Sequence, residues 1–252
     1  MKIGFQLSSI TPYLQDENNL RVALGKTAAI GYKTIQLQSV SYSIEDEVIA
    51  DTLRQNELEC VALQQDYPFC VPAERVIERA VACGCKYFTF ALWPVKIDSL
   101  ADLERIAEEF AKINEKVQEA GLILSFHPIG PDFAPLGGVP RYERLLAMLP
   151  ENVQLTLCAA SCAGTGITPC EVLEKFAGRV DLVHFKDWVR LPDGKRKLVP
   201  LGEGSAQWRP ITDACQTVGV QYIFAEQERW DRDPFDCAAA SFRHLALLGL
   251  EI

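Results

Sequence analysis

The sequence predicts a single closed (β/α)8 barrel spanning residues 1–252. Three observations predict it: a helix–glycine–strand phrase that recurs along the chain, eight apolar strands alternating with eight helical segments, and a length of 252 residues, which suits eight such units. The phrase reads AAIGYKTIQLQ (28–38), VACGCKYFTFAL (81–92), QEAGLILSFHP (118–128) and QTVGVQYIFAEQ (216–227), with a looser copy, KFAGRVDLVHFKD (175–187). Each glycine supplies the left-handed residue that stops a helix. The run after it is apolar on both faces, as a strand covered by helices must be.

The strands are expected at Ile3–Leu7, Thr34–Gln38, Cys60–Leu63, Tyr87–Leu92, Ile123–His127, Gln154–Cys158, Leu182–Phe185 and Tyr222–Glu226. Between them the helical period is clearest in 100–120, where Leu103, Ile106, Phe110, Ile113 and Val117 return every three or four residues. Ser99 and Asp102 form an N-cap arrangement for that helix, and the last helix covers 234–248. Strict βα alternation implies a parallel sheet with right-handed crossovers. The rival is an open doubly wound sheet. Against it, the turn after the first strand, LSSITPY, has no glycine-rich phosphate loop, and Gly202-Glu203-Gly204 does not open a helix after a strand. No nucleotide cofactor is therefore expected. The long loops 129–140 and 188–210 are expected to cap one face.

Composition narrows the function. With 48% hydrophobic and 23% charged residues the chain reads as an ordinary globular protein. Lys plus Arg number 25 against 34 Asp plus Glu, a net charge of −9, and no basic run appears. This argues against nucleic acid and anionic membrane surfaces as partners. The first residues turn polar quickly and no long apolar span follows, so a cytoplasmic location is expected. The nine cysteines sit mostly in apolar stretches and read as reduced, buried small hydrophobes. Cys83–Cys85 and Cys158–Cys162 lack the paired spacing of a structural zinc site.

In such a barrel the C-terminal strand ends face the site. They carry Gln36 and Gln38, Gln64 and Gln65, Trp93, His127, Cys158, His184 with Lys186 and Asp187, and Glu226 with Glu228. Two of the three histidines are among them; His244 falls in the last helix and reads as structural. His184 and Lys186 alternate along one strand and point to the same face, towards the barrel mouth. For His184 alone, a core histidine bonded to a carbonyl is the plain alternative. An acidic residue ending an apolar strand, as Glu226 does, must find a cation, a metal or a proton. Strands seven and eight are neighbours, so His184 and Glu226 can converge as half of a metal site.

RVDLVHFKDW (179–188), PLGEGSAQW (200–208) and VQYIFAEQE (220–228) resemble the last third of the sugar phosphate isomerase/epimerase superfamily. These are the xylose-isomerase-like TIM barrels, which also include apurinic-site endonucleases. GYKTIQL (31–37) resembles the family's second-strand motif, with Gln36 where Glu is usual, and LSFHPIGPDF (124–133) resembles its fifth-strand motif, with His127 matching the first histidine. The resemblance covers most of the chain. It implies a divalent cation (Mn, Mg, Co or Zn) held by Glu, Asp, His and Glu from strand ends five to eight. His184 and Glu226 match the last two of these. Cys158 stands in the usual Asp position, the fifth-strand Glu has no clear counterpart, and Asp132 lies beyond that strand end.

Three readings follow. His127, Cys158, His184 and Glu226 form a softer set suited to zinc or iron; or the metal is lost and the cavity works with Lys186, Glu226 and Glu228; or the usual metal is held with water filling the gaps. The resemblance implies proton transfer next to a carbonyl, with Glu226 as base or ligand, His184 as acid or ligand, and Lys186 on a substrate oxyanion. Lys186, Glu228, Trp93 and Gln36 are the expected substrate contacts, Trp188 and Trp230 are candidates to pack on a sugar face, and Arg229 and Arg232 to meet a phosphate. The expected activity is that of a sugar or sugar-phosphate isomerase or epimerase with a divalent metal (Zn, Mn, Co, Mg or Fe) in a degenerate site. A keto-sugar or inosose dehydratase and a non-catalytic sugar binder are the alternatives. The expected partner is a small carbohydrate, and the family commonly forms homo-oligomers. Endonuclease chemistry, which uses several histidine-rich zinc sites, fits poorly with three histidines and a charge of −9.

Overall fold

A computed structural model describes residues 1–162 and 165–251. The barrel strands are β1 (Lys2–Gln6), β2 (Thr34–Leu37), β3 (Glu59–Tyr67), β4 (Tyr87–Leu92), β5 (Ile123–Phe126), β6 (Gln154–Cys158), β7 (Leu182–Phe185) and β8 (Tyr222–Ala225). They pair in parallel, each with its neighbours in sequence, and β8 closes on β1. The helices around them are α1 (Glu17–Ile30), α2 (Asp46–Gln55), α3 (Ala73–Ala82), α4 (Leu100–Glu119), α5 (Arg141–Met148), α6 (Pro169–Lys175), α7 (Trp208–Val218) and α8 (Pro234–Leu247). The predicted barrel is thus the fold observed.

The local chemistry explains the elements. Ser99 accepts the Asp102 N–H while Asp102 accepts that of Ser99, a capping box that starts α4. Gly219, at φ 84°, ends α7 in the left-handed region and turns the chain into β8. Inside the barrel, Val61, Ala62, Tyr87, Leu182 and Phe224 pack at one end. Phe224 lies so close to β1 that a Cβ on Gly4 would collide with its ring. Other inward positions are polar: Ser125 and Thr156 share a hydrogen bond at 2.6 Å, and both are fully buried.

Three departures from the sequence reading shape the site. A 3-10 helix, Leu7–Tyr13, follows β1 directly and ends that strand one residue early. β3 does not stop at Leu63 but runs on to Tyr67, because its polar tail stays in register with β4 as far as Tyr67 opposite Leu92. The 188–210 loop folds into an antiparallel hairpin, Asp187–Arg190 against Arg196–Val199, which stands over the C-terminal end of the barrel.

Candidate active site

The ends of β7 and β8 build the centre. Lys186, just past β7, is held with its side chain only 14% exposed. Its Nζ lies 3.1 Å from Glu226 Oε2 as an ion pair and donates to Glu228 Oε1 at 2.5 Å. Glu226, just past β8, is 6% exposed, and its other oxygen accepts from Ser8 Oγ at 3.0 Å. His184 Nδ1 lies 3.3 Å from Glu226 Oε2 without making a hydrogen bond. Its Nε2 meets Gln36 Oε1 at 2.6 Å, and Gln36 in turn donates to Gln64 Oε1 at 3.3 Å. A buried amide relay from β3 and β2 thereby fixes the imidazole ring.

Electrostatics follow from this packing. Burial alone would raise the Glu226 carboxyl, but the Lys186 ammonium and then His184 outweigh it and hold the group well below the usual carboxylate range. Burial would likewise lower Lys186, yet Glu226, Cys158 and Glu228 together raise it, so it is a firm cation. Burial and the neighbouring Glu226 charge push the Glu228 carboxyl up, against the pull of Lys186. A cavity of about 890 Å³ opens above the cluster, and Cys158, Lys186, Trp188, Glu228, Arg229 and Trp230 are among its walls.

The other expected residues are placed as follows. His127 is buried, its ring 4.7 Å from that of His184 at a tilt of 36°, and neither ring nitrogen has a partner among the described residues. Burial and then His184 hold its basicity well below the ordinary histidine value. Cys158 sits opposite His184 in the β6–β7 register, and burial pushes its thiol up, so it is a neutral wall of the cavity. Gln36 is fully buried and its amide is committed to His184 and Gln64, so it positions the imidazole instead of meeting substrate. Trp93 is 56% exposed and borders a separate hollow with Asp132 and Arg141, away from the main cavity. Arg232 is paired with Glu203 at 2.6 Å.

Two features escaped the sequence reading. Asp66, on the extended tail of β3, has its carboxyl raised to about 6 by burial and by the Glu226 charge. The polar QQDY run was the available signal, but it lies past the apolar stretch by which strands are recognised. Asp187 is fully buried and accepts N–H groups of Trp188, Gly202, Gly204, Ala206 and the Trp208 indole. Gly202-Glu203-Gly204 is therefore a backbone cradle for Asp187, and a Cβ at Gly204 would collide with that carboxylate. His244 packs against Gly202 in the same corner.

A divalent ion does not fit this donor set. Among the described residues no three His, Cys, Asp or Glu side chains are grouped as a metal would need. The Glu226 oxygen nearest His184 is in contact with the Lys186 ammonium, and β6 places Cys158, not a carboxylate, in register with His184. The expected set of His127, Cys158, His184 and Glu226 thus shares one barrel mouth without forming a coordination shell.

A closed parallel barrel with acidic and basic side chains at its last strand ends places the chain among the (β/α)8 barrels. The chain belongs to the xylose isomerase-like TIM barrel family, whose pattern it matches over residues 24–247. It is similar to the crystal structure of a sugar phosphate isomerase/epimerase from Parabacteroides distasonis, at 17% identity and a TM-score of 0.78, covering 97% of this chain and 93% of that one. It is also similar to D-allulose 3-epimerase from Methylomonas sp. in complex with D-allulose, at 13% identity and 0.78, covering 98% and 96%. The third likeness is to the IOLI protein with a binding zinc atom, at 14% identity and 0.77, covering 98% of both chains. At these identities the likeness speaks for the fold alone. No curated protein matches the sequence. Among the described residues no helix is long and apolar enough to cross a membrane.

Proposed function

We propose that this chain is a carbohydrate isomerase or epimerase that moves a proton next to a carbonyl, with Glu226 as the base and Lys186 as the cation facing the developing oxyanion. The observation that carries this reading is the position of Lys186 Nζ, between Glu226 Oε2 and Glu228 Oε1, with Lys186 and Glu228 in the wall of the cavity. Because the donor set does not fit a divalent ion, the chemistry falls to the side chains.

A keto-sugar entering the cavity places its carbonyl oxygen against Lys186. The C–H bond on the adjacent carbon breaks, its proton passes to Glu226, and the electron pair moves onto the carbonyl oxygen as an enediolate. Lys186 donates hydrogen bonds to that oxygen. As the ammonium turns from Glu226 towards the substrate, the carboxylate loses its strongest stabilising neighbour and becomes more basic, so oxyanion binding and base strength rise together. Return of the proton to the former carbonyl carbon, with the hydroxyl proton of the adjacent carbon passing to the enediolate oxygen, gives the isomer. Return to the original carbon from the opposite side gives the epimer, and Asp66, with its raised carboxyl, is the second proton carrier for that outcome. Trp188 and Trp230 supply aromatic walls for the apolar face of a sugar.

The test is incubation with a panel of ketoses and their phosphates in deuterated water, followed by NMR. Deuterium appearing next to the carbonyl, and lost in Glu226→Gln, supports the reading. Loss of water from the sugar would assign a dehydratase, and saturable binding without exchange would assign a sugar-binding protein.

A further inference from the structure

We infer that Lys186 occupies the place of a divalent cation in this barrel, so that the site works metal-free and takes up a metal only when the ammonium is removed. The inference deepens the proposed function, and its oxyanion role rests on that reading, but the occupancy claim concerns the resting protein alone.

Three observations on different strands point the same way. The Lys186 ammonium touches Glu226 Oε2, the same oxygen that His184 Nδ1 approaches, so the two side chains most suited to share an ion already face a cation between β7 and β8. Lys186 also meets Glu228 on its other side, which holds its head group between the two carboxylates in the resting protein. On β6 the residue in register with His184 is Cys158, so that strand brings no carboxylate to the position facing the imidazole.

Charge balance makes these a set. Glu226 and Glu228 bring two negative charges and Lys186 returns one positive charge at contact distance. A dication beside the same oxygen would sit against the ammonium in a buried pocket, where repulsion is little screened. Removing the ammonium reverses this. Glu226 Oε2, His184 Nδ1 and Glu228 would then be a carboxylate, an imidazole and a second carboxylate around an open space, which is a donor set for zinc or cobalt.

The test is equilibrium dialysis of the chelator-treated full chain against Co²⁺ and Zn²⁺, with the visible spectrum of bound cobalt as a second readout. Only metal lost on His184→Ala is counted; any held by the Cys60 and Cys85 thiols, whose sulfurs lie 3.4 Å apart, persists in that variant. The wild type is expected to hold no His184-dependent metal. Lys186→Met, which keeps the aliphatic stem, is expected to bind about one equivalent at least roughly 100-fold more tightly, in a manner abolished by adding His184→Ala. A wild type that carries one equivalent sensitive to His184→Ala overturns the inference without any variant at position 186. A correctly folded Lys186→Met that gains no affinity overturns it too. Neither result depends on a substrate having been found, so a failed exchange assay leaves this measurement intact.

Discussion

Lys186 Nζ lies 3.1 Å from Glu226 Oε2, and this one contact ties the exit of β7 to the exit of β8 inside the barrel mouth. It neutralises a carboxylate that is only 6% exposed, which burial would otherwise drive towards its protonated form. The pair therefore keeps a carboxylate ionised in an enclosed site.

Glu226→Gln is expected to retain the fold, because Gln is isosteric and can still accept from Ser8 Oγ. It should lower deuterium exchange into substrate by roughly 100- to 10,000-fold, the range typical of a lost general base. Ser8→Ala removes one hydrogen bond donated to that carboxylate but leaves the carboxylate in place, and should cost about 10-fold. Exchange rates by NMR on the two variants decide it. Equal losses would show that Glu226 is held for structure and that another group moves the proton.

Asp66→Asn addresses the second proton carrier. With the Asp66 carboxyl raised to about 6, epimer formation in which Asp66 returns the proton needs it protonated and should fall as pH rises through that value. The Asn variant should lose this limb and lose epimer formation, while keeping single-carbon exchange through Glu226. A pH–rate profile whose fall through pH 6 is unchanged in the variant would remove Asp66 from the reaction.

Much of the fold was legible because each helix-ending glycine is followed by a strand apolar on both faces, a combination that only a covered parallel sheet requires. The convergence of His184 and Glu226 was legible for the same reason: strand order follows chain order, so their neighbourhood needs no long-range information. What escaped depends on contacts between distant segments. Asp66 reaches the mouth only because β3 keeps pairing with β4 beyond its apolar run. Gln36 sits at a strand end as expected, but its partner is His184, far away in sequence, and that decides its role. Lys186 was visible as a strand-end cation; its engagement by two carboxylates from the β8 exit was not. The hairpin over the cavity has a turn signal in Pro192-Asp193-Gly194, yet its highly charged second strand does not advertise itself as sheet.

Asp187 and Gly204 make a stability prediction separate from catalysis. Five N–H groups converge on the Asp187 carboxylate and anchor the loop leading into α7. Asp187→Asn turns one oxygen into a donor facing donors and should destabilise the fold by about 2–3 kcal/mol. Gly204→Ala should do comparable damage, since its methyl group meets the same carboxylate. Urea unfolding of the two single variants and the double variant measures both costs. A double variant no worse than either single would show that they act on one interaction, whereas additive losses would show independent sites.

Asp132 gives the pH prediction. It is 3% exposed, accepts the Ile129 N–H at 2.8 Å, and has its carboxyl raised by burial to about 7. An unfolded Asp ionises near pH 4, so between about pH 4 and 7 the unfolded chain releases a proton that the native chain still holds. Stability from this residue is therefore full below about pH 4 and declines as pH rises through 7. Asp132→Asn keeps an acceptor for Ile129 and removes the ionisation. At pH 8 it should be more stable than the wild type by the order of 2–4 kcal/mol, with the gain shrinking towards zero at pH 4. Urea unfolding at the two pH values checks this. A gain of equal size at both would mean that the substitution acts through packing, and a loss at pH 8 would mean that the ionised carboxylate is stabilised in the native state by a partner beyond the Ile129 amide.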